Sequence, residues 1–231
     1  MRGFVRSLGG ALLAGAVAMG GRRAPWALAD DAGEGVAHHQ AASATRRSTA
    51  DYKVPPVKLV RDDGKVVSLA EELSDDRPVI MNFIITTCTA ICPVMSRVFS
   101  QLQSKLGGDR DKVHMVSISI DPEQDTPARL AEYASKFAAG PQWRFYTGTT
   151  EASIATQRAF DVYRGDKMSH LPVTLVRAAP GKPWLRIEGF TTSDELLREF
   201  RELVEARREE SKSGRVSSIE SVRGRLLGPL E

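Results

Sequence analysis

The stretch Pro78-Val79-Ile80-Met81-Asn82-Phe83-Ile84-Ile85-Thr86-Thr87-Cys88-Thr89-Ala90-Ile91-Cys92-Pro93 passes from an apolar run into two cysteines and a helix start. Residues 78–86 are almost continuously apolar and rich in Val and Ile, the pattern of a strand covered on both faces. It reads as the central strand. Pro93 suits a first helical turn, where no amide donor is wanted, and Val94, Val98, Leu102 and Leu106 recur at helical spacing. Cys88 and Cys92 therefore stand at a strand-to-helix junction.

Working outward, residues 113–121 (VHMVSISID) read as a second strand, and Thr126-Pro127 opens a second helix reaching residue 139. A short strand at Phe145-Tyr146 and a third helix over 150–162 follow. Residues 172–177 and 184–190 form a strand pair turning at Pro180-Gly181. Thr192-Ser193-Asp194-Glu195 is a capping box, and Leu196, Leu197, Phe200, Leu203 and Val204 stripe the helix it opens. Upstream, two short apolar runs flank Asp62-Asp63-Gly64, a hairpin signature. The whole predicts an α/β, thioredoxin-like fold: a mixed central sheet with helices on both faces and an N-terminal β-hairpin.

Composition sets the limits of that domain. With 231 residues, 42% hydrophobic and 26% charged, the chain can bury one sizeable core, and two cysteines exclude a disulfide-dense scaffold. The net charge of +3 is local: Arg2, Arg6, Arg22 and Arg23 all precede the first acid, Asp30, so the remainder carries −1. Nucleic acid is thereby excluded as an implied partner. Residues 1–29 join a positive start to an apolar run and Ala27-Leu28-Ala29, the pattern of a cleaved export signal. That apolar run of 8–20 would span only about 20 Å as a helix, too short for a membrane anchor. Residues 30–52 read as a flexible linker, 53–210 as the folded domain and 211–231 as a polar tail. Periplasmic or otherwise exported placement follows, with membrane contact only through an uncleaved N-terminal segment.

Thiols at a helix N-terminus are acidified by unpaired amides and the helix dipole. A structural disulfide between Cys88 and Cys92 would close too short a loop to stabilise much, so the pair points to chemistry: thiol–disulfide exchange or soft-metal binding. Two thiolates with one imidazole would suit Cu(I). Of the four histidines, His38 and His39 fall in the linker and His114 in a strand with ordinary packing neighbours. His170, in the loop before the 172–177 strand, is either a solvated side chain or a ligand, and the residues alone leave both open. Met95 and Met168 are soft donors more simply explained by packing. Asp121 and Asp125 are read either as a docking edge or as caps of the strand end and the next helix.

Cys88-x-x-x-Cys92-Pro93, the stretch Ser117-Ile118-Ser119-Ile120-Asp121-Pro122-Glu123-Gln124-Asp125-Thr126-Pro127, and the later His170 together resemble the Sco/SenC family of copper-binding proteins over about 53–209. The chain departs from the common pattern at Thr89 and Ala90, where many members have Pro and Asp, and at Ser169, where Asp often precedes the histidine. The resemblance implies copper held by Cys88, Cys92 and His170, Cu(I) ahead of Cu(II). It also implies a part in building the dinuclear copper centre of cytochrome c oxidase. The implied partner is an apo copper-binding subunit of that oxidase, or another cuproprotein, met by a monomer. The competing expectation is a thiol–disulfide oxidoreductase in which Cys88 and Cys92 form the catalytic redox pair and keep a partner's copper-ligand cysteines reduced. Leu171-Pro172, at the place where thioredoxins carry a cis-proline, speaks for that alternative.

Overall fold

The computed structural model describes residues 45–226, with side chains for 45–213. The expected export signal and the first part of the linker, with His38 and His39, lie outside the described residues, as does the end of the tail. In chain order the elements are β1 (Arg46–Ala50), β2 (Lys58–Arg61), β3 (Val66–Ser68), α1 (Leu69–Glu72), β4 (Val79–Ile84), α2 (Ile91–Lys105), β5 (His114–Ser119), α3 (Pro127–Lys136), β6 (Trp143–Thr147), α4 (Thr150–Ala159), β7 (Val173–Arg177), β8 (Trp184–Glu188) and α5 (Ser193–Leu226).

The strands form one sheet in the order β1-β8-β7-β4-β5-β6-β2-β3. β4, β5 and β6 run parallel, joined by the crossovers α2 and α3, and every other pairing is antiparallel. Successive strand side chains point to opposite faces, so Ile80 and Ile84 of β4 enter one core and Val79 and Met81 the other. Phe99 and Leu102 of α2, Leu130 and Tyr133 of α3, and Leu196 and Phe200 of α5 cover the first face. The second packs Leu69, Leu73, Phe160 and Trp184 around β4 and β5. Burying a side chain the size of Phe99 contributes about 1.5–3 kcal/mol, which is why the apolar run of β4 must lie mid-sheet. The hairpin forms as expected, with Gly64 at φ 83 in the turn between β2 and β3. The capping box closes too: Thr192 N–H donates to Glu195 at 2.9 Å, and Glu195 N–H to the Thr192 hydroxyl at 3.2 Å.

Three expectations need correction. Residues 46–50 are a strand, not linker: β1 pairs along its whole length with β8, Arg46 opposite Glu188 and Ala50 opposite Trp184. An edge strand held by its backbone ladder and by Arg47–Glu199 (2.5 Å) needs no apolar alternation, and RRSTA shows none. Nor does the chain change from domain to tail at residue 210, since the backbone helix α5 runs on to Leu226. Finally, the inward face of α2 comprises Cys92, Met95, Ser96, Phe99, Leu102 and Gln103, while Val94 is 49% exposed. The helix starts at Ile91, and that phase turns Val94 outward.

Candidate metal and thiol centre

The C-terminal end of β4 delivers the chain into the turn that carries Cys88, and α2 then begins at Ile91 with no side-chain cap on its N-cap residue, Ala90. The Cys88 sulfur fills that role. Burial works against its thiolate, but hydrogen bonds from the amides of Cys92, Ala90 and Ile91 and from the Cys92 side chain outweigh it, holding the thiol below its ordinary pKa. Cys92, the second residue of α2, is 1% exposed. Burial pushes its thiol up to about 12, opposed by the Ile85 N–H at 3.3 Å and reinforced by Cys88 and Asp125. One sulfur is thus primed for ionisation and the other held protonated.

His170 completes the group from the far end of the chain. It closes the 3-10 turn Lys167–Ser169, which follows Gly165 at φ 78 and is capped by Asp166 accepting from Met168 N–H at 2.9 Å. Its Nδ1 lies 2.9 Å from the Lys167 carbonyl, which can only accept, so the proton sits on Nδ1. Nε2, the nitrogen not engaged in that bond, lies 3.4 Å from the Cys92 sulfur. The ring is 8% exposed. The three donor atoms of Cys88, Cys92 and His170 lie within 4.8 Å of one another. A three-coordinate ion with bonds of about 2.0–2.3 Å needs donors about 3.5–4 Å apart, so only small adjustments separate this arrangement from a trigonal site. The cation would sit between the three donor atoms. Without a metal, two sulfurs at this spacing can also attack or form a disulfide.

Asp121 and Asp125 are tension members rather than a docking edge, because they are 3% and 0% exposed. Asp125 accepts from the N–H of Thr86 at 3.3 Å, from the Thr86 hydroxyl and from Ser119 Oγ at 2.6 Å, fixing the turn before Cys88 to the end of β5. The cap of α3 falls instead to Thr126, which accepts from Arg129 N–H. Asp121 pairs with Lys167 at 2.8 Å. Lys167 carried no signal in the sequence; only its position three residues before His170 could have drawn attention to it. Met95 is packed in the core, and Met168 is 72% exposed. His114 belongs elsewhere: its Nε2 meets Asp75 at 3.0 Å, at the start of β5. A cavity of about 1130 Å3 beside Arg77, Pro78, Phe200 and Arg207 is lined by no thiol or imidazole.

The chain is 36% identical over 105 residues to the SCO1 protein homolog of Bacillus subtilis, a match covering 45% of this chain and 53% of the relative. It thus spans about half the length of that relative, and less of the Arabidopsis thaliana mitochondrial SCO1 homolog 1, where the match covers 31%. Copper-bound ScoI of Arabidopsis thaliana superposes with a TM-score of 0.56 at 26% identity, covering 66% of this chain and 98% of that one. BsSco, a member of the Sco family of cytochrome c oxidase assembly proteins in which a disulfide switch has been identified, superposes at 0.57 with 26% identity, covering 68% and 95%. No helix among the described residues is long and apolar enough to cross a membrane. The SCO1/SenC family profile matches residues 45–205, which takes in β1, both cysteines, His170 and the start of α5, and on that extent of match the chain belongs to the SCO1/SenC family.

Proposed function

We propose that this protein is an exported copper chaperone. In this reading Cys88, Cys92 and His170 carry Cu(I) as cargo and surrender it to an apo copper-binding subunit of cytochrome c oxidase or to another cuproprotein. The observation that carries the proposal is the convergence of two sulfurs and one imidazole nitrogen within 4.8 Å at a helix mouth. Copper in the Arabidopsis relative and the oxidase-assembly family of BsSco support it.

Cys88, the more acidic thiol, meets the ion first. Engaging Cys92 then expels the proton of a buried thiol. Nε2 of His170, 3.4 Å from the Cys92 sulfur, completes the sphere. Three donors leave Cu(I) open to an incoming thiolate or imidazole, so transfer proceeds by ligand exchange without a free ion. Oxidation to a disulfide removes both thiolates and switches loading off. Cu(II) is the second candidate cargo.

The asymmetry of the thiols favours the second reading, a thiol–disulfide oxidoreductase with Cys88 as attacking and Cys92 as resolving sulfur. Anaerobic Cu(I) titration against a competing chelator separates the two. The chaperone takes up one Cu(I) per reduced chain, and Cys88→Ser, Cys92→Ser and His170→Ala each weaken it. An oxidoreductase would lose disulfide-reducing turnover in the cysteine variants and keep it in His170→Ala, with no Cu(I) retention to lose in any of them.

A further inference from the structure

We infer that Lys167 and Asp121 are positioning residues that hold the His170 ring ready for the cation; the inference deepens the copper-carrying reading and rests on it. The 3-10 turn that bears His170 protrudes from the body: Lys167, Met168 and Ser169 are all exposed, and Met168 is 72% so. Among the described side chains of residues 164–169, only Lys167 makes a hydrogen bond or ion pair outside residues 161–169, to Asp121 at 2.8 Å. The same residue's carbonyl receives the His170 Nδ1 proton at 2.9 Å. One residue therefore grips the body with its ammonium and the ring with its carbonyl.

The anchor is rigid. Asp121 follows β5, its N–H donates to Ser119 Oγ at 3.0 Å, and its carbonyl accepts from Gln124 and Asp125 at 3.1 and 2.9 Å. At 3% exposure the carboxylate cannot be left unpaired without penalty, so Lys167 is held although its own side chain is 44% exposed. Packing alone does not confine the ring, because a cleft of about 320 Å3 lined by Ile120, Asp121, Ile154, Tyr163, Lys167 and His170 lies beside it. Once the ion pair is broken, the turn is free to carry the imidazole into that space and away from Cys92. Partners that orient a ligating imidazole through its second nitrogen typically govern affinity by about 10–100-fold, and a loosened rather than deleted carbonyl belongs at the low end.

Two readouts test this, one without metal. In reduced, metal-free protein the His170 Nδ1–H is expected to exchange slowly with solvent by NMR. Lys167→Met and Asp121→Asn should each speed that exchange about tenfold or more and leave the β4 and β5 amides unchanged, whereas Lys167→Arg retains protection. In chelator competition, Lys167→Met should weaken Cu(I) binding about tenfold in the wild-type background and less than about twofold in His170→Ala. Unchanged Nδ1–H exchange overturns the inference, as does equal weakening in both backgrounds, which would mark a merely structural pair. Wild-type Cu(I) binding that is indifferent to His170→Ala would instead overturn the functional reading, and the metal-free exchange would still decide the positioning role.

Discussion

The Cys92 sulfur lies 3.4 Å from Nε2 of His170, although 78 residues separate them in sequence. Two strands, β5 and β6, intervene along the chain, and the contact exists because β7 lies beside β4 as its antiparallel neighbour. The loop entering β7 and the turn leaving β4 consequently meet at one end of the sheet. The gap between that sulfur and that nitrogen borders the place where a soft cation would sit.

Opposite displacements of the two thiols predict different reactivity. In the reduced, metal-free protein, Cys88 should be alkylated by iodoacetamide with a pH midpoint below the ordinary thiol value of about 8.5, while Cys92 stays inert through neutral pH. Cys92 is an acid whose folded pKa, about 12, exceeds its unfolded one. Its contribution to stability is therefore complete below about pH 8.5 and is lost as pH rises toward 12. Peptide mapping of the alkylated protein checks the first point, and the urea midpoint measured between pH 8 and 11 the second.

Asp125→Asn should cost about 2–3 kcal/mol, since it replaces a buried carboxylate that accepts from Thr86 and Ser119 with an amide whose N–H groups face donors. The damage should reach the site, because the Thr86 contact fixes the turn before Cys88. Urea unfolding measures the loss; an unchanged midpoint would show that the Asp125 contacts carry no net stability.

A variant that starts at Asp51 lacks β1 and leaves β8 as an unpaired edge. It should unfold at a midpoint several degrees lower by calorimetry and self-associate in light scattering, with Cu(I) stoichiometry preserved because no ligand lies on β1. Monomeric behaviour at full stability would contradict the role given to the strand.

Much of this was legible in the chain. The apolar run 78–86, the hairpin at Gly64, the Thr192 to Glu195 box and the helix start beside Cys92 each follow from local patterns strong enough to survive folding. β1 escaped because a strand held by backbone pairing and Arg47–Glu199 leaves no alternation to read. The phase of α2 was misread because Ser96 and Gln103 occupy inward positions, bonded to Tyr133 and to the Ala138 carbonyl, while the apolar Val94 faces out. Residue type alone identified both cysteines, whereas His170 needed a family resemblance to choose it over a solvated loop side chain. Lys167 and Asp121 were invisible as a pair, since a lysine and an aspartate 46 positions apart become partners only through the sheet.

X-ray absorption at the copper edge of the reduced, Cu(I)-loaded protein addresses the central claim most directly. The account predicts a three-coordinate ion with two sulfurs at about 2.2–2.3 Å and one imidazole nitrogen at about 2.0 Å, the nitrogen shell disappearing in His170→Ala. A two-sulfur site with no imidazole scattering in the wild type, identical in His170→Ala, would contradict it.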